Sequence, residues 1–112
     1  MDIETTHLKR CDLITLKGRF DSSVAPDLEK ALRQSIDQGN TNIVLDMAEV
    51  EYFGSAAIRA LVMAYKECRR RLAPGDVRLA RVPERIHHVL DLAGIAELVQ
   101  MYDDPVAAVG SF

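Results

Sequence analysis

One stretch constrains this chain more than any other. The apolar run Ile43-Val44-Leu45 leads through Val50 and Tyr52-Phe53 into a tight turn at Gly54-Ser55, and from there into a long amphipathic segment. A short apolar run between turn signals fits a strand buried on both faces. Asp46 is expected to close that strand, with Val50-Glu51-Tyr52-Phe53 as a second short apolar touch. Beyond the turn the period changes from that of a strand to that of a helix. Ile58, Leu61, Val62, Tyr65 and Leu72 share a stripe, while Arg59, Lys66, Glu67 and Arg70 lie away from it. Ser55 reads as the helix cap, its hydroxyl accepting from an unpaired first-turn amide. Ala56, Ala57 and Ala60 favour helix and allow close packing, and Pro74-Gly75 stops it.

The remaining segments repeat the same grammar. Residues 2–9 read as an edge strand and Cys11–Lys17 as its hairpin partner, closed by Gly18. Gly18-Arg19-Phe20-Asp21-Ser22-Ser23 then reads as a loop into a helix capped by Ser22 or Ser23, with Pro26 in its first turn. That helix buries Val24, Leu28, Ala31, Leu32, Ser35 and Ile36 and ends at Gly39-Asn40. A strand over 77–82 follows, and then a helix opened by Pro83 with Ile86, Val89, Leu90 and Ala93 on one side. A short strand over 99–102 precedes a terminal helix started by Asp103 or Asp104 and Pro105.

Strands alternating with helices after an opening hairpin imply crossover connections and a mostly parallel sheet. The expected architecture is a single α/β domain over 1–112, its core spanning 2–109, with about five strands and about four helices. In such sheets functional residues gather where strand C-terminal ends meet helix N-termini. The turns at Asp21-Ser22-Ser23 and Gly54-Ser55-Ala56 are both of that kind and are expected side by side.

Composition narrows the function. The net charge of -3 lacks the concentrated basic face of a nucleic-acid binder, and Arg69-Arg70-Arg71 reads as a solvated helix end. No run approaches the roughly 20 apolar residues of a membrane-spanning helix, so no direct membrane insertion is expected. Met1-Asp2-Ile3-Glu4 does not read as a signal peptide, and Cys11 and Cys68 read as free thiols of a cytoplasmic protein. His87 and His88 are adjacent on a helix and point apart, and His7 is isolated, so no metal site is expected. Ser22, Ser23 and Ser55 have no base in view, there is no phosphate-cradling glycine loop, and no catalytic group or cofactor is expected.

Four words in order carry a resemblance: Gly18-Arg19-Phe20-Asp21, Ile43-Val44-Leu45-Asp46, Phe53-Gly54-Ser55-Ala56-Ala57-Ile58-Arg59-Ala60-Leu61, and Val89-Leu90-Asp91-Leu92-Ala93-Gly94-Ile95. With them, nearly the whole chain resembles the STAS domain of bacterial anti-sigma factor antagonists. The resemblance implies a non-enzymatic module that binds an anti-sigma factor, itself a serine kinase of the GHKL ATPase type, in a partner-switching pathway of transcription control. Phosphorylation of a serine at the start of the helix after the third strand breaks that contact in the family, where the word is Asp-Ser-Ser-Gly or Asp-Ser-Thr-Gly. Here the four positions read Gly54, Ser55, Ala56 and Ala57, so the acceptor position is Ala56. A phosphate brings roughly -1.5 to -2 charges, and Ala56 offers no hydroxyl to carry it. Ser55, one residue earlier, is the remaining hydroxyl. The implied partner surface comprises Asp21, Ser22, Ser23, Phe53, Gly54, Ser55, Ala56 and Arg59, although an aspartate such as Asp21 also suits bonding its own loop backbone. The alternative reading is a STAS subunit or regulator of a membrane transport system, such as a lipid transport ATPase complex.

Overall fold

The computed structural model describes residues 2–112. Five strands form one sheet in the order β1-β2-β3-β4-β5, with β1 Asp2–His7, β2 Asp12–Phe20, β3 Asn42–Phe53, β4 Asp76–Ala80 and β5 Met101–Tyr102. The β1–β2 hairpin is antiparallel, and the other pairings are parallel. The helices are α1 Ala25–Asp37, α2 Ser55–Arg69, α3 Glu84–Leu92 and α4 Pro105–Gly110, with a single 3-10 turn at Ile95–Glu97. The expected α/β plan therefore stands, including the hairpin and the four helices.

Two layers of apolar side chains hold it. Ile14, Leu16 and Phe20 of β2 meet Leu28, Leu32 and Ile36 of α1, together with the buried faces of α2 and α3, in the main core. A smaller cluster on the opposite face joins Cys11, Val44 and Ala80 to Ala108 of α4. Cys68 of α2 is fully buried, and burial pushes its thiol up to about 11. Cys11 is buried too, and both thiols are free.

The strands run longer than the local pattern suggests. β3 is one continuous strand, and Asp46 does not close it. Its pairing with β2 slips twice, at Thr15/Lys17 and at Gly18/Arg19, each time absorbing an extra β3 residue. These bulges explain the broken alternation: Ile43, Leu45, Met47, Val50 and Phe53 all enter the main core, the spacing widening from two to three residues across each slip. Gly18 likewise lies inside β2 rather than ending it, and its φ of 99° at the second slip is a conformation that glycine adopts without strain. The Gly18–Phe20 segment is therefore strand, not loop.

α2 is rotated relative to its expected stripe. Its buried residues are Ala57, Ala60, Leu61, Ala64 and Cys68, with Ile58, Val62 and Tyr65 half-buried on the flanks. Short side chains at the contact let the helix lie close to the sheet and to α1. Leu72 is beyond the helix and fully exposed. Similarly, Val89 and Ala93 of the α3 region are exposed, and only Ile86 and Leu90 of the α3 stripe are buried. At the lower end Gly75 is indispensable, because a Cβ there would sit 1.9 Å from the Thr41 carbonyl oxygen.

Candidate partner-binding surface

β2 and β3 are parallel neighbours that end level with each other, Phe20 opposite Phe53. Their rings pack with centroids 6.2 Å apart, and the Gly54 amide donates to the Phe20 carbonyl at 3.0 Å. The turn into α1 and the turn into α2 are thereby fixed side by side, as the strand order requires. Phe53 is 2% exposed, so it supports the surface from beneath and does not itself belong to it. The long apolar ring after a bulged strand finds its place in the core, where its burial is worth most.

The first turn is organised by Asp21, not by a serine. The Asp21 carboxylate accepts from the Ser23 hydroxyl at 2.7 Å, the Ser23 amide at 3.0 Å and the Val24 amide at 3.3 Å. Its carbonyl accepts from the Ala25 amide at 2.9 Å. Val24 is the formal cap position and makes no side-chain cap bond, so neither Ser22 nor Ser23 caps α1. The Ser23 hydroxyl, the amides of Ser23 and Val24, and the nearby Arg19 charge together hold the Asp21 carboxyl below its ordinary value. Ser22 and Ser23 are exposed at the tip.

The second turn is built differently. Gly54 is the N-cap of α2, extended at φ -84° and ψ 178°, and its carbonyl accepts from Ile58 at 2.9 Å. Ser55 is the first residue of the helix, not its cap, and no side chain caps α2. The exposed Ser55 hydroxyl makes no hydrogen bond among the described residues. Ala56 is half-buried, Ala57 is buried beneath it, and Arg59 is exposed one turn further along the helix. Sequence reasoning placed the cap on Ser55 because serine prefers that position; the chain turns one residue earlier.

Two features of this end are not among the residues expected from the sequence. Tyr52, 43% exposed, lays its ring across the turn: a Cβ on Gly54 would lie 3.0 Å from its Cε2 and 3.1 Å from its Oη. The Arg19 guanidinium stacks on the same ring, 4.8 Å from its centroid. Nearby, Arg81 follows β4 with a positive φ of 52° and pairs with the buried Asp46 through Nε at 3.1 Å and Nη2 at 2.5 Å. That partner explains both why a charged residue tolerates the middle of β3 and why an arginine is held in a conformation it rarely adopts. The only available signal for the pair was an aspartate inside an apolar run.

His87 and His88 are both exposed on α3, and the described residues contain no group of three metal-ligating side chains. No helix of the described residues is long and apolar enough to cross a membrane.

The architecture and the turn are those of a STAS domain, whose family model matches residues 2–108, and the chain belongs to that family. Among its relatives is BtrV of Bordetella bronchiseptica, named for a proposed anti-sigma factor antagonist role, which is 26% identical over 97 residues covering 87% of this chain and 82% of that protein. The anti-sigma F factor antagonist of Paenibacillus polymyxa is 21% identical over 110 residues, covering 97% and 92%. Among solved structures, the Thermotoga maritima protein TM1081 superposes with a TM-score of 0.89 at 18% identity, covering 97% of this chain and 92% of that one, which shows a shared fold.

Proposed function

We infer that this STAS domain is a non-enzymatic binding module of the anti-sigma factor antagonist type, acting in the cytoplasm on an anti-sigma factor of the GHKL kinase type. The single observation that carries the reading is the paired turn at the strand ends, where the second turn keeps the family's backbone placement but presents Ala56 at the acceptor position. A module of this kind associates with its partner without phosphorylation control at that position. Ser55 is exposed and one residue short of the position the kinase geometry serves, and positional demands on phosphoryl transfer disfavour a shifted hydroxyl. The docking surface comprises Asp21, Ser22, Ser23, Gly54, Ser55, Ala56 and Arg59, supported by Phe53.

Incubation with the cognate kinase and ATP, read by intact mass spectrometry, is expected to leave the chain unmodified while the two proteins still bind. Stoichiometric phosphate on Ser55 would overturn the unswitched version. Co-purification with a transporter ATPase in place of a GHKL protein would move the chain to the membrane-transport reading.

A further inference from the structure

Tyr52, Arg19 and Arg59 share three properties that the family comparison does not assign. Tyr52 is a large aromatic side chain at the mouth of the second turn, 43% exposed although apolar space lies just beneath it. Its ring is held from one side by the Arg19 guanidinium and seated over Gly54 on the other. An aspartate at position 54, as in the family word, would bring its Cβ to 3.0–3.1 Å of that ring and force it aside. Gly54 is not needed for backbone conformation, since its φ of -84° suits any residue. What the missing side chain allows is the seat of the ring.

The charges around this ring are unbalanced. Arg69, Arg70, Arg71, Arg78 and Arg81 each have a carboxylate partner, whereas Arg19 and Arg59 have none among the described residues. The nearby acids are committed elsewhere: Asp21 is spent on its own turn, and Glu49 pairs with Lys17. Glu51 precedes Tyr52 in the strand, so its side chain leaves from the other side of the backbone. A rigid aromatic ring flanked by unpaired guanidinium groups is the composition of an interface anchor, not of an ordinary solvated edge.

We propose that Tyr52, Arg19 and Arg59 form an aromatic and cationic anchor that receives an acidic segment of the partner protein, a carboxylate pairing with the arginines and an apolar neighbour packing on the Tyr52 ring. The anchor stands where the family has an acidic, phosphorylatable word, so recognition here runs on fixed positive charge in place of a removable negative one. It rests on the binding reading given above and adds the chemistry of the face that is bound.

The test measures affinity of the purified chain for its cognate GHKL-type anti-sigma factor by calorimetry, with melting temperature and far-UV circular dichroism verifying that each variant is folded. Tyr52→Ala is expected to weaken binding by about tenfold or more, and Tyr52→Phe by less than about twofold. Arg19→Ala and Arg59→Ala are each expected to cost about three- to tenfold, and raising the salt concentration is expected to weaken the unsubstituted chain more than either variant. Gly54→Asp, which displaces the ring and adds a negative charge, is expected to weaken binding at least as much as Tyr52→Ala. If the unsubstituted chain binds and folded Tyr52→Ala and Arg19→Ala bind equally well, the anchor is wrong and the binding reading stands. If the unsubstituted chain does not bind the anti-sigma factor at all, both are wrong.

Discussion

The two turns at the top of the sheet occupy equivalent places and are stabilised in opposite ways. Each follows a core strand, opens a helix and rests on a buried phenylalanine. In the first, Asp21 satisfies the helix start with its own carboxylate and leaves little polar capacity for a visitor. In the second, no side chain caps α2, the Ser55 hydroxyl is unengaged, and the neighbouring Arg19 and Arg59 lack ion partners. A helix start that closes on itself is a structural joint, whereas one left open by its own sequence has its bonding capacity turned outward. Equal topology therefore does not imply equal roles, and the difference can be measured.

The sharpest way to break the comparison is to remove what the turns share. Phe53→Ala should cost about 3–5 kcal/mol in urea unfolding, because it deletes a buried ring from the seam beneath both turns. A loss under about 1 kcal/mol would show that the turns are held independently of that seam. Removing what distinguishes them comes next: Asp21→Ala should destabilise by about 1 kcal/mol, the ordinary worth of a helix-start carboxylate, while Ser55→Ala should change stability by less than about 0.5 kcal/mol. Equal effects of the two substitutions would erase the distinction. Ser55→Asp, with an anion at the uncapped positive end of α2, should stabilise by about 0.3–1 kcal/mol at low salt and less at high salt.

The smallest effect is one of pH. Asp21 has a lowered carboxyl pKa in the folded chain, so its contribution is complete above the unfolded value and fades as pH falls through the folded one. A side-chain carbon titration followed by NMR should place its midpoint below 3.8. A midpoint at or above that value would mean that the Ser23 and Val24 bonds do not persist in solution.

Much of this was legible in the residues, and the failures have a common physical cause. The order of elements followed from Gly39, Pro74-Gly75 and Gly94 as stops and from runs such as Ile43-Val44-Leu45, because these signals are local. What went astray depended on neighbours in space. The two slips in β3 keep Val50 and Phe53 facing the core, and only the pairing with β2 reveals them. Asp46 reads as a strand terminator until Arg81 is beside it. The buried face of α2 is its alanine face, because the sheet and α1 demand short side chains there, and hydrophobicity alone pointed to Ile58 and Val62. At the site, Gly54, Ser55 and Ala56 were legible as an altered word. Tyr52 was not, since its importance lies in which empty space its ring fills.

Cys68 has a consequence for how this chain is studied. Its thiol is wholly enclosed between α2 and the sheet and resists ionisation until about pH 11. A thiol reagent at neutral pH has nothing to attack in the folded molecule and meets an ordinary thiol in the unfolded one. The rate at which Cys68 is labelled therefore counts openings of the core, one molecule at a time, without any added dye or denaturant. The domain carries its own clock of unfolding, and every substitution in the two turns can be timed against it.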